Sequence, residues 1–337
     1  MALPLALTMG EPAGIGGEIA LRAWLGRGDG LPLFYLRDDP SRVAELAARL
    51  DWPVAVRAIA DPGEAIAVFD SALPVAPIGP KPRGRPGYPD PADAPAVIAA
   101  IDAAVSDVRQ GCAAALVTNP IHKDSLYRAG FGHPGHTEYL AELAGGELTP
   151  VMMLVSSELR VVPVTIHLPL RRVVDELSIG RIVAAGHVTD AALRADFGIS
   201  APVLAIAGLN PHAGEAGGLG REEIEIIEPA IARLRADGVN ARGPFAADTM
   251  FHAAARRGYD AALCMYHDQA LIPIKTIDFD GGVNVTLGLP FVRTSPDHGT
   301  AFAIAGKGVA RAGSLIAALR LAAELASTRR ARSEAAG

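Results

Sequence analysis

Short, continuous apolar runs recur along the chain and constrain its fold more than any other feature. Each run is five to eight residues long, and most lack the regular polar and apolar alternation of a sheet that faces water on one side. Such runs predict strands that are buried on both faces of a mainly parallel sheet. The predicted strands are 3–9, 31–36, 54–59, 114–118, 151–155, 160–167, 203–209 and 261–266.

Longer amphipathic segments lie between these runs and predict helices. The predicted helices are 16–25, 41–50, 92–109, 137–144, 179–197, 221–236, 247–256 and 314–326. The alternation of strands and helices indicates an α/β/α architecture, and 337 residues suit two such lobes better than one. Residues 79–95 are dense in Pro and Gly and predict an irregular surface loop. The Arg- and Ala-rich tail after Thr328 is predicted to be frayed.

The composition excludes several classes of protein. The formal net charge of −6 argues against a general nucleic-acid binder, which normally presents a basic face. No apolar run approaches the roughly 18 residues that a membrane-spanning helix needs. Two cysteines are too few for a disulfide scaffold, and the apolar N-terminus lacks a basic start. We therefore expect a cytoplasmic protein without a membrane or nucleic-acid partner.

Lysine is rare in this chain. Only four of the 31 cationic residues are lysines, namely Lys81, Lys123, Lys275 and Lys307. Either coding bias has replaced the others, or these four occupy positions where Arg would not serve. The second interpretation has a physical basis, because Lys is a compact ammonium whose pKa moves on burial, whereas Arg is a fixed planar fork.

A glycine-rich turn, Met9-Gly-Glu-Pro-Ala-Gly-Ile-Gly-Gly-Glu18, follows the first predicted strand. It could hold an anion on backbone N–H groups at the start of a helix, or it could be a tight strand-to-helix turn. The dinucleotide fingerprint is absent, because Gly14 and Gly16 are followed by Ile19 where a third small residue is required. The chain therefore has no Gly-rich Rossmann fingerprint.

Polar segments also follow other predicted strands. Thr118-Asn-Pro-Ile-His-Lys123 is followed by Gly132-His-Pro-Gly-His-Thr-Glu138. The pair His136 and Thr137 at a predicted helix start offers donors to a carboxylate or phosphate. Further along, Lys275, Asn284 and Arg293 are spaced through a Gly-rich segment and could anchor an anionic substrate. The alternative for that segment is a surface hairpin with ordinary charges.

Three histidines lie at or just past the ends of predicted strands, namely His167, His212 and His267. Because the ends of strands in one sheet converge, these three imidazoles could meet. Three His ligands with an open position form a known type of catalytic metal site, and imidazole suits zinc-like ions. The alternative is that each is a polar residue with an ordinary hydrogen bond, since no His-x-x-x-His pair supports the metal interpretation.

An ordered set of motifs carries a resemblance to a known family. The motifs are 7–16 (Leu-Thr-Met-Gly-Glu-Pro-Ala-Gly-Ile-Gly), 135–138 (Gly-His-Thr-Glu), 208–215 (Gly-Leu-Asn-Pro-His-Ala-Gly-Glu), 247–249 (Ala-Asp-Thr), 266–269 (Tyr-His-Asp-Gln), 283–290 (Val-Asn-Val-Thr-Leu-Gly-Leu-Pro) and 293–300 (Arg-Thr-Ser-Pro-Asp-His-Gly-Thr). Over about residues 5–325 the chain resembles the 4-hydroxythreonine-4-phosphate dehydrogenases of vitamin B6 synthesis. It departs from that family's usual pattern at Glu11, Gly17 and His122.

The resemblance implies a fold like the isocitrate and isopropylmalate dehydrogenases, with two α/β/α lobes and a cleft between them. By the same analogy, residues 1–128 with 285–337 form a nucleotide-side lobe, and 129–284 form a metal, substrate and dimerisation lobe. A homodimer is expected to complete each active site.

The resemblance also implies ligands for each group at the site. A divalent metal ion (zinc, with magnesium or cobalt as alternatives) falls on His167, His212 and His267, drawn from both subunits. The expected substrate contacts are His136, Thr137, Lys275, Asn284 and Arg293. The expected NAD or NADP loop contains His298, Gly299, Thr300, Gly306 and Lys307.

The implied reaction is a metal-dependent oxidation of 4-hydroxythreonine 4-phosphate by NAD(P)+. Its product, a 2-amino-3-oxo acid, decarboxylates to 3-amino-2-oxopropyl phosphate in pyridoxal phosphate synthesis. We expect Lys275 to stabilise charge or transfer a proton, with Asp248 and Asp268 as second candidates for proton handling or for orienting the metal-bound histidines. Two alternatives remain: a dehydrogenase of 4-phosphothreonate or 4-phosphoerythronate, and a non-catalytic two-lobed ligand-binding protein.

Overall fold

The computed structural model describes residues 3–133, 135–146 and 148–336. Within them the chain forms two compact units. The first contains the residues up to Leu148 together with Leu289–Ser327, and the second contains Thr149–Gly288 with the residues from Thr328 onward. Each unit combines helices with a sheet, so the expected α/β class is confirmed.

Strands and helices alternate along most of the described chain. The strands are β1 (Leu5–Thr8), β2 (Phe34–Arg37), β3 (Val56–Ala58), β4 (Leu73–Ala76), β5 (Leu116–Thr118), β6 (Val151–Val155), β7 (Arg160–Pro163), β8 (Leu204–Ala207), β9 (Ala241–Phe245), β10 (Ala261–Cys264), β11 (Val283–Leu287) and β12 (Arg293–Pro296). The helices are α1 (Gly16–Leu25), α2 (Pro40–Arg49), α3 (Ala65–Val68), α4 (Ala94–Arg109), α5 (Lys123–Arg128), α6 (His136–Ala144), α7 (Leu170–Glu176), α8 (Ile179–Ala195), α9 (Glu228–Ala236), α10 (Ala247–Met250), α11 (Ala253–Arg256), α12 (His267–Ile277) and α13 (Gly313–Ala336). No helix of the described residues has the length and apolar character needed to cross a bilayer.

The sheet of the first unit is entirely parallel. Its strand order is β3-β4-β2-β1-β5-β12, and every pair in this order runs parallel. All residues of β1, β4, β5 and β12 are buried, as expected for strands covered on both faces. Helix α4 packs on β1 and contributes Val97 and Ile101 to the core.

The sheet of the second unit is mixed. Its order is β11-β6-β7-β10-β8-β9, in which β7, β10, β8 and β9 run parallel. Strand β6 is antiparallel to both β7 and β11. The ends of β7, β10 and β8 are therefore neighbours at one edge of this sheet, and these are the strands that precede the three predicted metal ligands.

Strands β4, β9, β11 and β12 were not predicted. Strand β12 has the sequence Arg-Thr-Ser-Pro yet is fully buried, so it lacks the apolar signal on which the prediction depended. Strand β9 contains Pro244 and is only partly buried, as is typical of an edge strand. Helix α12 was also missed, because it contains Pro273 and begins with the polar residues His267 and Asp268.

Residues 129–148 belong to the first unit, whereas the expected lobe boundary lies at residue 128. The reason is the packing of α6 against α4. The Tyr139 hydroxyl donates to Asp102 Oδ1 at 2.5 Å, and Leu140 is fully buried in the core that contains Ile101. The nucleotide and metal roles assigned to the two lobes stay predictions.

Helix α13 continues to Ala336, although the residues after Thr328 were predicted to be frayed. Arg329 explains the difference. Its Nε donates to Asp196 Oδ1 at 2.6 Å and its Nη2 donates to Asp196 Oδ2 at 2.8 Å, so a two-point ion pair holds this part of the helix.

Replacing Arg329 by Ala is expected to release the last turns of α13. Loss of the largely buried pair with Asp196 should lower the free energy of unfolding by roughly 1–3 kcal/mol. Hydrogen exchange of the amides after Thr328 should become fast. The matched control is Arg330→Ala, because Arg330 is mostly exposed and its ion pair with the exposed Glu334 is 3.9 Å long. Equal effects of the two substitutions would contradict this explanation.

Candidate functional site

A buried guanidinium lies on the last strand of the first unit's sheet. Arg293, on β12, is only 4% exposed. It donates to Thr118 Oγ1 on the neighbouring strand β5, at 3.2 Å from Nε and 2.6 Å from Nη2. Burial lowers the pKa of Arg293 to about 10. The side chain therefore remains charged at neutral pH, and a buried charge is stabilised by an anion or by further polar groups.

His136 is the first residue of α6 and lies close to this charge. Its Nε2 is buried and has no hydrogen-bond partner among the described residues. The pKa of His136 is well below its usual value, because the ring is buried and because the charges of Arg293 and Lys123 disfavour a second cation. The imidazole is therefore neutral at pH 7 and has a buried nitrogen that a ligand can satisfy.

Lys123 adds a second positive charge beside the start of α6. A Cβ atom added to Gly135 would lie 3.2 Å from Lys123 Nζ, which shows how closely the ammonium approaches the helix N-terminus. Unpaired backbone N–H groups at such a terminus favour anions. The structure thus brings together the predicted residues His136, Thr137 and Arg293, and adds Lys123, in an arrangement that suits a phosphate or carboxylate.

The glycine-rich turn of residues 9–18 is explained by close packing. A Cβ at Gly16 would lie 2.5 Å from the Met9 carbonyl oxygen, and one at Gly14 would lie 2.9 Å from the Thr300 carbonyl oxygen. The Ile15 amide donates to that same Thr300 oxygen at 3.1 Å. These contacts favour the tight-turn interpretation over a dedicated anion cradle.

Glu18 fixes the segment that was predicted to hold the nucleotide. Its fully buried carboxylate accepts hydrogen bonds from the Gly306 amide at 2.8 Å and the Ala310 amide at 3.0 Å. In the same segment, the Nε2 of His298 is buried without a hydrogen-bond partner in the described part of the chain. The loop is therefore held in place and retains one polar atom that a ligand can satisfy.

Glu11 and His122, two of the residues at which the chain departs from the usual family pattern, lie in loops of the first unit. Glu11 is 3% exposed and accepts a hydrogen bond from the Ala13 amide at 3.2 Å. Burial raises the pKa of Glu11 to about 7, although that hydrogen bond opposes the shift. His122 contacts Ser125 Oγ through Nδ1 at 2.7 Å, and its ring packs edge-on against Phe302 with centroids 5.0 Å apart.

In the second unit, His167 and His267 face each other beyond the ends of β7 and β10. Their ring centroids are 6.1 Å apart. The Nδ1 of His267 contacts Asp268 Oδ1 at 2.7 Å, a carboxylate contact of the kind that orients metal-binding imidazoles. These three side chains line a cavity of about 250 Å³ together with Tyr266 and Leu170.

His212 lies in an exposed turn, Pro211–Gly217, after β8. The backbone of His212 is left-handed, with φ at 55°, and three further non-glycine residues of the turn share this conformation: Ala213, Glu215 and Ala216. Left-handed backbone costs roughly 1–2 kcal/mol for each such residue, so the surrounding structure must stabilise the turn. Strain of this kind is concentrated at functional sites.

Glu223 supplies part of that stabilisation, and the sequence analysis missed it. Its buried carboxylate accepts hydrogen bonds from the amides of Leu209 and Asn210, both at 2.8 Å, and from Asn210 Nδ2 at 2.9 Å. Because these partners directly precede the turn of His212, Glu223 positions that histidine. The only sequence signal was its proximity to the quoted Asn-Pro-His-Ala-Gly-Glu motif.

The three predicted metal ligands do not form one group within a single chain. Among residues 3–133, 135–146 and 148–336, no three His, Cys, Asp or Glu side chains come together as a set that could hold a metal ion. The structure pairs His167 with His267 and places His212 on the exposed turn. The predicted three-histidine site therefore stays a prediction.

Asp248 and Asp268 line a second cavity of about 420 Å³ in the same unit. Gln269 fixes the adjoining backbone and was also missed as a positioning residue. Its Oε1 accepts from the Met265 amide at 2.6 Å, and its Nε2 donates to the Gly208 carbonyl at 2.7 Å. Gln269 thus ties the start of α12 to the end of β8.

Lys275 and Asn284 line neither of these two cavities. Lys275 follows His267 by eight positions on α12, which places it roughly 12 Å further along the helix axis. Its Nζ lies 5.9 Å from the ring centroid of Phe279. Asn284 lies on β11, paired with Leu154 of β6.

Both units thus place titratable and charged side chains at the ends of strands, where α/β proteins bind small ligands. The fold and these sites define an α/β protein that is suited to small anionic ligands. The family model of the pyridoxal phosphate biosynthetic protein PdxA matches residues 33–322, and the chain belongs to that family.

Named relatives extend this assignment over nearly the whole chain. A 4-hydroxythreonine-4-phosphate dehydrogenase of Bradyrhizobium diazoefficiens is 56% identical, over 97% of this chain and 98% of that protein. A protein of the same name from Methylorubrum populi is 57% identical, over 96% of this chain and 94% of its own length. These relatives show that the chain is an enzyme of the dehydrogenase class, which argues against the non-catalytic alternative.

Solved structures agree with this assignment. The crystal structure of 4-hydroxythreonine-4-phosphate dehydrogenase from Klebsiella pneumoniae has a TM-score of 0.86 and 38% identity, covering 96% of this chain and 100% of that one. A terephthalate 1,2-cis-dihydrodiol dehydrogenase from Burkholderia xenovorans is more distant, with a TM-score of 0.64 and 28% identity over 96% of this chain and 98% of that one.

Replacing Glu11 by Gln is expected to remove a pH dependence of stability. The pKa of Glu11 is about 7 in the folded protein, against an ordinary value of 4.5. Its contribution to stability is therefore complete below pH 4.5 and is lost as the pH rises through 7. The free energy of unfolding of the wild type, relative to Glu11→Gln, should fall by about 3 kcal/mol across this window.

Denaturant unfolding at about pH 5 and about pH 8 measures this difference. The control is Glu324→Gln, because Glu324 is exposed on α13. If the stability difference between the wild type and Glu11→Gln is the same at both pH values, the raised pKa of Glu11 is contradicted.

Proposed function

We propose that this enzyme oxidises 4-hydroxythreonine 4-phosphate with NAD(P)+. The product is a 2-amino-3-oxo acid, which loses CO2 to give 3-amino-2-oxopropyl phosphate. The names of relatives that are more than half identical support this substrate. The structural observation that carries the proposal is the buried group of Arg293 and His136 beside Lys123, because a small phosphorylated acid supplies the anion that this group suits.

In this proposal, Arg293 and Lys123 hold the substrate by charge. The N-terminus of α6 and the Thr137 side chain add neutral hydrogen bonds, and the unpartnered Nε2 of His136 is satisfied by a substrate oxygen. An anion at this position offsets the cost of burying the Arg293 guanidinium.

We further propose that His167, His212 and His267 hold a divalent metal ion, for which zinc is the best match to imidazole donors. The facing rings of His167 and His267, with Asp268 on the Nδ1 of one of them, fit such a group. A divalent ion bound there supplies Lewis acidity, which makes the substrate alcohol more acidic and favours the carbonyl product.

The proposed enzyme is a homodimer that shares its metal site. The resemblance to the family supports this proposal, and it is compatible with the absence of a group of three donors among the described residues of one chain. His212 is exposed, and the same unit exposes large apolar side chains: Leu170 at 68%, Ile272 at 63% and Phe279 at 76%. Apolar surface of this kind is typical of protein interfaces. A second copy placed there could add His212 to the His167 and His267 pair.

The proposed oxidation needs one acceptor for a hydride and another for a proton. NAD(P)+ supplies the acceptor for the hydride that leaves the carbinol carbon. Asp248 and Asp268, which line one cavity, are the proposed acceptors of the alcohol proton. Lys275 lies two helical turns from His267 of its own chain, so we assign its role in stabilising charge or transferring a proton to the site completed by the second copy. We assign the substrate contact of Asn284 to that same site.

The proposed cofactor site is the loop that contains His298, Gly299, Thr300, Gly306 and Lys307. Two observations support it. The buried carboxylate of Glu18 preorganises the loop through the amides of Gly306 and Ala310. The Nε2 of His298 is buried and has no partner among the described residues. Such preorganisation lowers the ordering cost of binding a cofactor.

The first test of this function is a comparison of substrates. Purified protein is mixed with zinc, NAD+ or NADP+, and one of three acids: 4-hydroxythreonine 4-phosphate, 4-phosphothreonate or 4-phosphoerythronate. Absorbance of the reduced nicotinamide should appear most rapidly with the phosphorylated amino acid. Faster turnover of a phosphorylated sugar acid would favour the related dehydrogenase activity, and no reduction with any of the three would refute the proposal.

Replacing His212 by Ala tests the metal assignment. Zinc content per chain and turnover should both fall by roughly tenfold or more, because one of three ligands is lost, while the far-ultraviolet circular dichroism stays unchanged. The matched control is His187→Ala, since His187 lies on the surface paired with Asp237. Full activity of His212→Ala with bound zinc would exclude His212 as a ligand.

A further inference from the structure

One cavity of the first unit has no role in the function proposed above. It has a volume of about 330 Å³ and lies between α2 and the Pro- and Gly-rich loop of residues 79–95. Its lining includes five cationic residues, namely Arg42, Arg49, Lys81, Arg83 and Arg85. Of the four lysines of the sequence, Lys81 alone lies outside the segments that were predicted to form a site.

Most of these cations lack a counterion. Arg42 pairs with the buried Asp38, with Nε donating to Oδ1 at 2.9 Å. The side chains of Arg49, Lys81, Arg83 and Arg85 have no hydrogen bond or ion pair with any described residue. Of the two lining carboxylates, that of Asp39 already caps α2 by accepting from the Arg42 amide at 2.8 Å. The cavity therefore carries an excess of positive charge, which favours an anion.

The loop that carries three of these cations is held in a fixed conformation. The buried carboxylate of Asp93 accepts hydrogen bonds from the Arg83 amide at 2.6 Å and the Gly84 amide at 2.7 Å. A Cβ on Gly84 would lie 2.6 Å from Asp93 Oδ2, so a side chain there would disturb this anchor. The adjoining N-terminus of the ten-residue helix α2 adds further positive potential.

The same loop packs against the proposed cofactor loop. A Cβ on Gly306 would lie 2.6 Å from Pro86 Cβ, and one on Gly87 would lie 3.2 Å from the Phe302 carbonyl oxygen. The Gly87 amide also donates to the Ala13 carbonyl at 2.8 Å. The substrate has its own anion site at α6, so the cofactor is the remaining phosphate-rich ligand of the reaction and lies next to this cavity.

We propose that the cavity binds the 2′-phosphate of NADP+ and gives the enzyme a preference for NADP+ over NAD+. This inference rests on the proposed use of a nicotinamide cofactor. NAD+ carries a hydroxyl at this position, which proteins recognise with a carboxylate, whereas arginines accommodate the 2′-phosphate. Guanidinium groups bind phosphate through two parallel hydrogen bonds, and Arg83 and Arg85 have no competing partner among the described residues.

The test is calorimetric binding of adenosine 2′,5′-bisphosphate and adenosine 5′-monophosphate to the full chain. The wild type should bind the bisphosphate at least tenfold more tightly. In a triple variant, Lys81→Gln, Arg83→Gln and Arg85→Gln, its affinity should fall by roughly tenfold to a hundredfold, while the monophosphate affinity stays the same. The control is Arg57→Gln, because Arg57 is exposed on β3 and does not line the cavity.

Three results would overturn the assignment. They are equal wild-type affinity for the two nucleotides, an unchanged bisphosphate affinity in the triple variant, and an equal loss of affinity for both nucleotides. The last of these would place the 5′-phosphate, not the 2′-phosphate, among these cations. Thermal unfolding checks that the triple variant folds, which is expected because its three side chains have no partners among the described residues.

This experiment is independent of catalysis. It uses no phosphorylated acid and no turnover, so a protein that binds the bisphosphate as expected but reduces neither cofactor would refute the proposed function alone. If turnover is observed, the ratio of kcat/KM for NADP+ to that for NAD+ should fall towards one in the triple variant.

Discussion

The buried charge of Arg293 is the constraint on which the first unit's site depends. The guanidinium lies within the parallel sheet, held to Thr118 of the neighbouring strand, where water cannot stabilise it. Burial of the ring, together with this positive charge and that of Lys123, keeps the nearby His136 neutral. The charge of Arg293 also favours an anion at the start of α6. An acidic protein cannot attract a phosphorylated substrate by its net charge of −6. It must instead concentrate positive charge at particular sites.

The two units divide the chemistry between them. The first unit carries the buried polar group at the start of α6 and two loops near the proposed cofactor, and the buried carboxylates of Glu18 and Asp93 fix those two loops. The second carries the facing pair of His167 and His267 and the carboxylates Asp248 and Asp268. In the proposed dimer, a second copy supplies the histidine that a single chain leaves on an exposed turn.

The sequence predicted those features that depend on apolar pattern and on residue type. Eight strands were predicted from their apolar runs, of which β3 proved to be mostly exposed, whereas β12 was missed because its buried residues are polar. His136 and Arg293 were predicted because imidazole and guanidinium suit an anion. Glu18 could not be predicted, since its partner Gly306 lies 288 positions away and offers only a backbone amide. Glu223 and Gln269 were missed for the same physical reason, because most of their hydrogen-bond partners are backbone groups.

Calorimetric titration of 4-hydroxythreonine 4-phosphate into the wild type and the Arg293→Met variant examines whether the buried guanidinium holds the substrate. The account predicts that the variant folds and binds the substrate roughly a hundredfold more weakly, as expected when one partner of a buried charged contact is removed. Its affinity for adenosine 2′,5′-bisphosphate should be unchanged, since Arg293 does not line the cavity of Arg83 and Arg85. Unchanged substrate affinity in a folded Arg293→Met variant would contradict the account.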